Sequence, residues 1–188
     1  MKVLQNIDEL AKFVELLRGE NVTRYLEIGA KHGGSLRAVG MALPPSSRLV
    51  CVDLPFGTIK WAKSQPDLLS VQDELQKAGH EVHVIWGDST DGHVVEQVRK
   101  FAPYDAVLID ANHTLPYVTQ DWQNYGPMAR IVAFHDIAWK RDKWDPAIDY
   151  HPIEVPKLWN AIKQEHRHVE IELDGGGRDN GIGVVWRD

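Results

Sequence analysis

The chain has 188 residues, enough for one sizeable core, and its 43% hydrophobic and 26% charged content is that of an ordinary globular protein. A formal net charge of −6, with basic residues scattered apart from Lys140, Arg141 and Lys143, argues against nucleic acid as a partner, since neutralising phosphates needs a basic face. No apolar run approaches the roughly 18–20 residues that cross a bilayer, and the acid-bearing N-terminus lacks a signal peptide's uninterrupted apolar core. The single cysteine, Cys51, lies in an apolar run and reads as a buried core residue. The expectation is one cytoplasmic domain over residues 1–188 that acts on a small molecule, with no nucleic acid and no membrane.

The first element is an amphipathic helix within residues 1–20. Leu10, Phe13, Val14 and Leu17 recur at three- and four-residue spacing, Asp8 is placed to cap it, and Gly19 closes it. Strands are then predicted at Tyr25–Ile28, Leu49–Val52, Val82–Trp86, Ala106–Ile109 and Ile131–Phe134, from short runs rich in β-branched residues. Helical patterns fall between them, about Gly34–Ala42, Lys60–Ala78, Thr90–Lys100 and Leu115–Tyr125, with one more over Pro156–Glu165. The tail reads as two strands joined by a glycine-rich turn, an antiparallel hairpin. Near-continuous apolar strands alternating with helices define an α/β, doubly wound, mostly parallel sheet. Such a sheet binds ligands beyond the carboxyl ends of its strands, where strand order reverses.

The chemically unusual residues follow the strands. Gly29-Ala30-Lys31-His32-Gly33-Gly34-Ser35 follows the first, and its Gly-x-x-x-Gly-Gly spacing differs from the dinucleotide fingerprint. The glycines allow close approach of backbone to a ligand at a helix N-terminus, although Ser35 is equally a helix cap. Asp53, 24 residues beyond Gly29, is placed to accept both hydroxyls of a ribose, or to end the strand as a solvated loop residue. After the third strand, Asp88 is placed to receive an adenine amino group with the Ser89 N–H facing the ring; Ser89 or Thr90 would also suit as a cap. The fourth strand ends in Asp110-Ala111-Asn112-His113 and the fifth in His135-Asp136. Asp110 and Asp136 have the chemistry to hold a hard cation such as Mg²⁺, with His113 as general base. Two helix caps and a satisfied core histidine are the bland alternative.

In order, the segments YLEIGAKHGGSL, LVCVDLP, VIWGDSTD, YDAVLIDANH and ARIVAFHDI resemble class I S-adenosylmethionine-dependent methyltransferases over roughly residues 22–137. The chain looks most like the group of macrocin-type sugar O-methyltransferases and proteins labelled cephalosporin hydroxylase. The resemblance implies a Rossmann-like seven-stranded sheet with an antiparallel C-terminal hairpin, and O-methylation of a sugar or natural-product hydroxyl. By it, Glu27, Gly29, Gly33 and Ser35 line the methionine end of S-adenosylmethionine, Asp53 holds the ribose, and Asp88 and Ser89 frame the adenine. Asp110 belongs to the cofactor, catalytic and metal sets. Asp136 and His135 complete the metal set, and His113 takes the hydroxyl proton. Metal-dependent relatives carry two oxygen-bearing side chains after the fifth strand, where this chain has His135-Asp136.

The acceptor side is expected in a lid over Ile137–Val155, with Trp139, Trp144, Tyr150 and His151 as stacking or anchoring groups, and a second loop over Leu54–Trp61. Three other readings stay open. They are a nucleotide-sugar or nicotinamide enzyme on a related fold, a non-catalytic S-adenosylmethionine-binding module, and an iron-dependent hydroxylase using His113, His135 and Asp136. The leading helix covers the sheet in the favoured reading, and monomer and homodimer are both compatible with the sequence.

Overall fold

The computed structural model describes residues 6–55, 65–139, 152–172 and 180–187. Helix α1 spans Ile7–Gly19 and is followed by β1 (Arg24–Ile28), α2 (Gly34–Ala42), β2 (Arg48–Asp53), α3 (Gln65–Lys77), β3 (Glu81–Trp86) and α4 (Gly92–Arg99). Then come β4 (Tyr104–Ile109), α5 (Leu115–Tyr125), a short 3₁₀ turn, β5 (Ala129–His135), α6 (Val155–Ile162), β6 (Arg167–Ile171) and β7 (Ile182–Trp186). The seven strands form one sheet in the order β3-β2-β1-β4-β5-β7-β6. The first five are parallel, and β7 pairs antiparallel with both β5 and β6. This is the doubly wound, Rossmann-like methyltransferase fold.

The period-2 rule divides the strand residues between two cores. Tyr25, Leu49, Cys51, Ala106, Leu108, Ile131 and Ala133 point to one face, which Leu10, Phe13 and Leu17 of α1 cover together with residues of α2 and α3. Leu26, Ile28, Val50, Val52, Val107, Ile109, Val132 and Phe134 point to the other, against Val94 and Val98 of α4, Val118 and Tyr125 of α5 and Trp159 of α6. The leading helix is therefore a layer of the core, and Cys51 is a fully buried, free core thiol. At roughly 1.5–3 kcal/mol for each large side chain buried, Leu10, Phe13 and Leu17 bind α1 firmly to the sheet.

Three local details differ from the sequence reading. Asn6 caps α1, its Oδ1 accepting the Asp8 N–H at 3.0 Å, and Asp8 sits inside the first turn. Gly33, in a left-handed conformation (φ 74°), is the N-cap of α2, which releases Ser35 for another contact. Helix α4 is capped by Asp91, which accepts the His93 N–H at 2.7 Å, rather than by Ser89 or Thr90. The strands also extend one or two residues beyond their apolar runs, because ladder bonds continue past the last buried side chain. Most of the expected lid, residues 140–151, and residues 56–61 of the second loop lie outside the described residues.

Candidate active site

Strand order reverses between β1 and β4, and the two strands run side by side there, with Ile28 paired to Ile109. Gly29 and Asp110 are the next residues on each. A Cβ on Gly29 would lie 2.3 Å from the Asp110 carbonyl oxygen and 2.6 Å from the Ala111 Cα, and its φ of 92° is left-handed as well. Only glycine lets β1 turn away here while β4 passes so close. In α/β sheets a crevice opens at such a switch point, and here it would be lined by the residues that follow the strands.

On the β1 side, Glu27 is fully buried and takes two hydrogen bonds, from the Tyr25 hydroxyl at 2.9 Å and from the Ser35 hydroxyl at 2.5 Å. Tyr25 and Glu27 alternate onto the same face of β1. Burial raises the Glu27 pKa to about 7; the two hydroxyls oppose the shift, and the nearby carboxylates of Asp110 and Asp53 add to it. Asp53, at the end of β2, accepts the N–H groups of Lys31 and Leu54 on different oxygens. Burial raises its pKa too, against those two bonds. Each oxygen keeps lone-pair capacity for a further donor. With Gly29, Lys31 (φ 48°) and Gly33 (φ 74°) make three left-handed residues in this loop.

Beyond β3, Asp88 is exposed and folds back on its own loop, its Oδ1 accepting the N–H (2.9 Å) and hydroxyl (2.7 Å) of Thr90. Ser89 is buried, and its carbonyl accepts the Tyr125 hydroxyl at 2.6 Å.

The ends of β4 and β5 bring four ionisable side chains together. His113 Nε2 lies 3.0 Å from Asp110 Oδ1, and its Nδ1 lies 3.1 Å from Asp136 Oδ2. His135 Nδ1 lies 3.2 Å from both Asp110 Oδ1 and Asp136 Oδ1, without the alignment of a hydrogen bond to either. Burial disfavours charge on both rings, but the two carboxylates outweigh it and raise the pKa of His113 to about 10 and of His135 to about 9. In return, and against its own burial, the two histidines hold the Asp110 carboxyl well below the usual range. Asp136 has a left-handed backbone, φ 63°, a costly conformation for a residue with a Cβ and one that clusters at functional sites. The His113 side chain is 18% exposed and that of His135 is 8% exposed, so His113 is the ring an incoming molecule can reach.

Asp110, Asp136 and His135 were the expected cation ligands. Among the described residues, however, no group of three or more His, Cys, Asp or Glu is arranged to hold a metal ion. The oxygens that would point at a cation are instead directed at imidazole nitrogens. The donor set as placed does not fit Mg²⁺, and no step below runs through a metal.

Three residues of this region carried no sequence signal of their own. Glu154 holds the loop after β4 from the far side, its N–H donating to the His113 carbonyl at 2.8 Å and its carboxylate accepting the Leu115 N–H at 3.0 Å. Glu9 of α1 is buried, accepts the Gly181 N–H at 3.3 Å, and has a pKa raised by burial, which the charge on His135 opposes. Tyr25 was legible only as a strand residue; its place two residues before Glu27 is the hint that the two share a face.

A seven-stranded sheet of this order, with a glycine turn and an acid after β1 and β2 and polar strand ends after β4 and β5, defines a class I S-adenosylmethionine-dependent methyltransferase. The comparisons agree. Residues 26–137, more than half of the chain, match the model of a methyltransferase domain family, and the chain belongs to that family. Its structure is similar to that of the O-methyltransferase TomG from Streptomyces achromogenes, involved in tomaymycin synthesis and solved in complex with SAM. The TM-score is 0.69 at 18% identity, over 98% of this chain and 82% of that one. It is also similar to an O-methyltransferase from Bacillus cereus solved in complex with SAH, with a TM-score of 0.71 at 15% identity, over 97% of this chain and 82% of that one. No curated protein matches the sequence. Among the described residues, no helix is long and apolar enough to cross a membrane.

Proposed function

We propose that the chain methylates a hydroxyl oxygen of a small, sugar-like or natural-product-like acceptor in the cytoplasm, with His113 as the residue that takes the hydroxyl proton. The observation that carries this reading is the placement of His113. It stands at the mouth of the switch-point crevice, the more exposed of two rings, with its orientation fixed by a 3.0 Å hydrogen bond to Asp110. The solved O-methyltransferases of like fold, one bound to SAM and one to SAH, support the reaction type.

S-adenosylmethionine supplies a methyl carbon on a positively charged sulfur. Toward it, the buried Glu27 is suited to face the cofactor's ammonium, with Ser35 and Tyr25 holding the carboxylate in place. Gly29 and Gly33 keep the backbone low beneath the methionine chain, Asp53 offers an oxygen to each ribose hydroxyl, and Asp88 with Ser89 meets the adenine. Asp110 closes the cofactor side and holds the His113 ring.

In the structure as it stands both ring nitrogens of His113 face carboxylates. Asp110 makes the aligned hydrogen bond, so the Asp136 side is where an acceptor hydroxyl can exchange in. The ring, kept protonated between the two carboxylates by a pKa raised to about 10, first loses its Nδ1 proton to solvent as Asp136 gives way to the acceptor. The neutral ring then takes the hydroxyl proton as the oxygen bonds to the methyl carbon and the carbon–sulfur bond breaks, so turnover should rise with pH into the alkaline range. The imidazolium so formed stays paired with Asp110, and alignment of the three atoms accounts for much of the rate.

The test is turnover with a panel of hydroxylated acceptors, read as S-adenosylhomocysteine formed, in the presence of EDTA or of Mg²⁺. Equal rates in the two are expected. His113→Asn should lower kcat by about 10²–10⁴-fold, the usual contribution of a general base, with the S-adenosylhomocysteine Kd unchanged. Full turnover by His113→Asn would remove the assignment. Turnover that collapses in EDTA and returns with Mg²⁺ would show that Asp110 and Asp136 rearrange around a cation.

A further inference from the structure

Helix α5 starts beside His113, with Thr114 as its N-cap, and its later turns pack against the loop that follows β3. Three contacts from α5 make that junction. The Gln120 amide donates to the Thr90 carbonyl at 3.2 Å, the Tyr125 hydroxyl donates to the Ser89 carbonyl at 2.6 Å, and the Asp121 carboxylate faces the Ser89 side chain. Asp121 belongs to the buried stripe of the helix, with Val118 and Tyr125, and is 0% exposed. Among the described residues, neither of its oxygens accepts a well-aligned hydrogen bond. An apolar residue would fill such a stripe position at no desolvation cost, so an orphaned carboxylate there asks for a role. Burial raises its pKa to about 7, with the Ser89 side chain opposing the shift and Asp88 adding to it.

The loop these residues grip is the one read above as the adenine site, and the inference rests on that reading. A 6-aminopurine presents a donor at its amino group and an acceptor at N1. Asp88, whose two bonds from Thr90 both go to Oδ1, offers an acceptor, and the Ser89 N–H offers a donor. A 6-oxopurine reverses both partners and would leave each protein group facing its like. That discrimination requires residues 88–90 to be held in one conformation.

We propose that Asp121 is a positioning residue for adenine recognition: buried against the Ser89 side chain, it fixes, with Gln120 and Tyr125, the loop that tells a 6-aminopurine from a 6-oxopurine.

The experiment is calorimetric titration of S-adenosylhomocysteine and S-inosylhomocysteine, in which oxygen replaces the amino group. The proteins are the wild type, Asp121→Asn, Ser89→Ala and the double variant. Wild type should prefer the adenosyl compound by about 100-fold, the scale of two hydrogen bonds made or left unpaired. Each single variant should weaken S-adenosylhomocysteine about 10-fold, with the inosyl compound nearly unchanged, so that the ratio narrows. The double variant should be no weaker than the worse single, because both changes break one contact. A folded Asp121→Asn protein with the wild-type ratio overturns the proposal. If that variant does not fold, Ser89→Ala decides alone, and an unchanged ratio there has the same meaning. Failure of the wild type to bind S-adenosylhomocysteine would overturn the cofactor assignment itself, an outcome distinct from wild-type binding that the variants leave untouched.

Discussion

Ser35 donates its hydroxyl to Glu27 at 2.5 Å, joining the first turn of α2 to the penultimate residue of β1 beneath the switch-point crevice. The bond is possible because Gly33 takes over the capping of α2. It leaves a fully buried carboxyl whose pKa stands near 7, and pH therefore acts on this protein through Glu27.

Stability should fall as pH rises through neutrality. The folded pKa of Glu27 lies above its unfolded value of 4.5, so the folded state binds more protons between pH 4.5 and about 7. The stabilising contribution is complete below 4.5 and is lost as pH passes 7. For a shift of this size the loss is on the order of 3 kcal/mol. Asp121, raised from 3.8 to about 7, has the same sign. Urea unfolding at pH 5.5 and 8 should show it, and Glu27→Gln should reduce the difference without abolishing it, since Asp121, His113 and His135 are shifted with the same sign. An unchanged difference in that variant would mean that other groups control it.

Cofactor binding should release a proton at neutral pH. A cofactor ammonium placed against Glu27 favours the carboxylate, so the half-protonated acid near pH 7 must ionise. The Kd for S-adenosylhomocysteine should then tighten from pH 6 to 8, and the calorimetric enthalpy at pH 7 should vary with the ionisation heat of the buffer. Glu27→Gln should bind more weakly, by about 10-fold or more, with no buffer dependence. Buffer-independent wild-type binding would separate Glu27 from the ammonium.

The two glycines of this loop should differ in tolerance. A methyl group on Gly29 meets Asp110 backbone at 2.3 Å, whereas on Gly33 it meets the Leu68 and Val71 side chains at 3.1 Å. Side chains can give way by a few tenths of an ångström, and a strand end cannot. Gly33→Ala should cost about 1–2 kcal/mol for its left-handed backbone and keep cofactor binding. Gly29→Ala should part β1 from β4 and abolish binding. Thermal unfolding with ligand titration checks both, and equal behaviour would deny that the strand contact shapes the crevice.

The layers of this molecule were legible because each layer repeats a short rule. The β-branched runs gave five parallel strands, and the spacing of Leu10, Phe13 and Leu17 placed α1 on the sheet. The candidate site was legible to the extent that its residues follow strands: the places of Asp53, Asp110 and Asp136 beyond β2, β4 and β5 could be read from position, and Glu27 only from the family resemblance. What could not be read was how they pair. Whether Asp110 and Asp136 converge on a cation or on His113 depends on side-chain orientations, and no spacing encodes those. Asp121 and Glu154 act across 32 and 39 residues, on Ser89 and on the Leu115 N–H, so packing alone reveals them. Helix caps failed for a local reason: Asn6 and Asp8, or Asp91 and Thr90, are near-equivalent until the chain direction fixes which oxygen meets the free amide.

The paired charges at the crevice mouth should make His113 a stability residue as well as a catalytic one. Its ring separates Asp110 from Asp136, with nitrogens 3.0 and 3.1 Å from their oxygens. Removing it leaves the two carboxylates without the ring between them, while His135 lies 3.2 Å from each. His113→Ala should therefore destabilise by about 3–5 kcal/mol, the usual cost of stripping one partner from a buried ion pair. The double variant His113→Ala with Asp136→Asn should recover part of that loss, since the repulsion is relieved, while turnover stays as low as in the single variant. Denaturant unfolding of the three proteins gives the coupling directly. Additive losses would mean that His113 and Asp136 do not share their charge, and the pairing that orients the base would have to come from Asp110 alone.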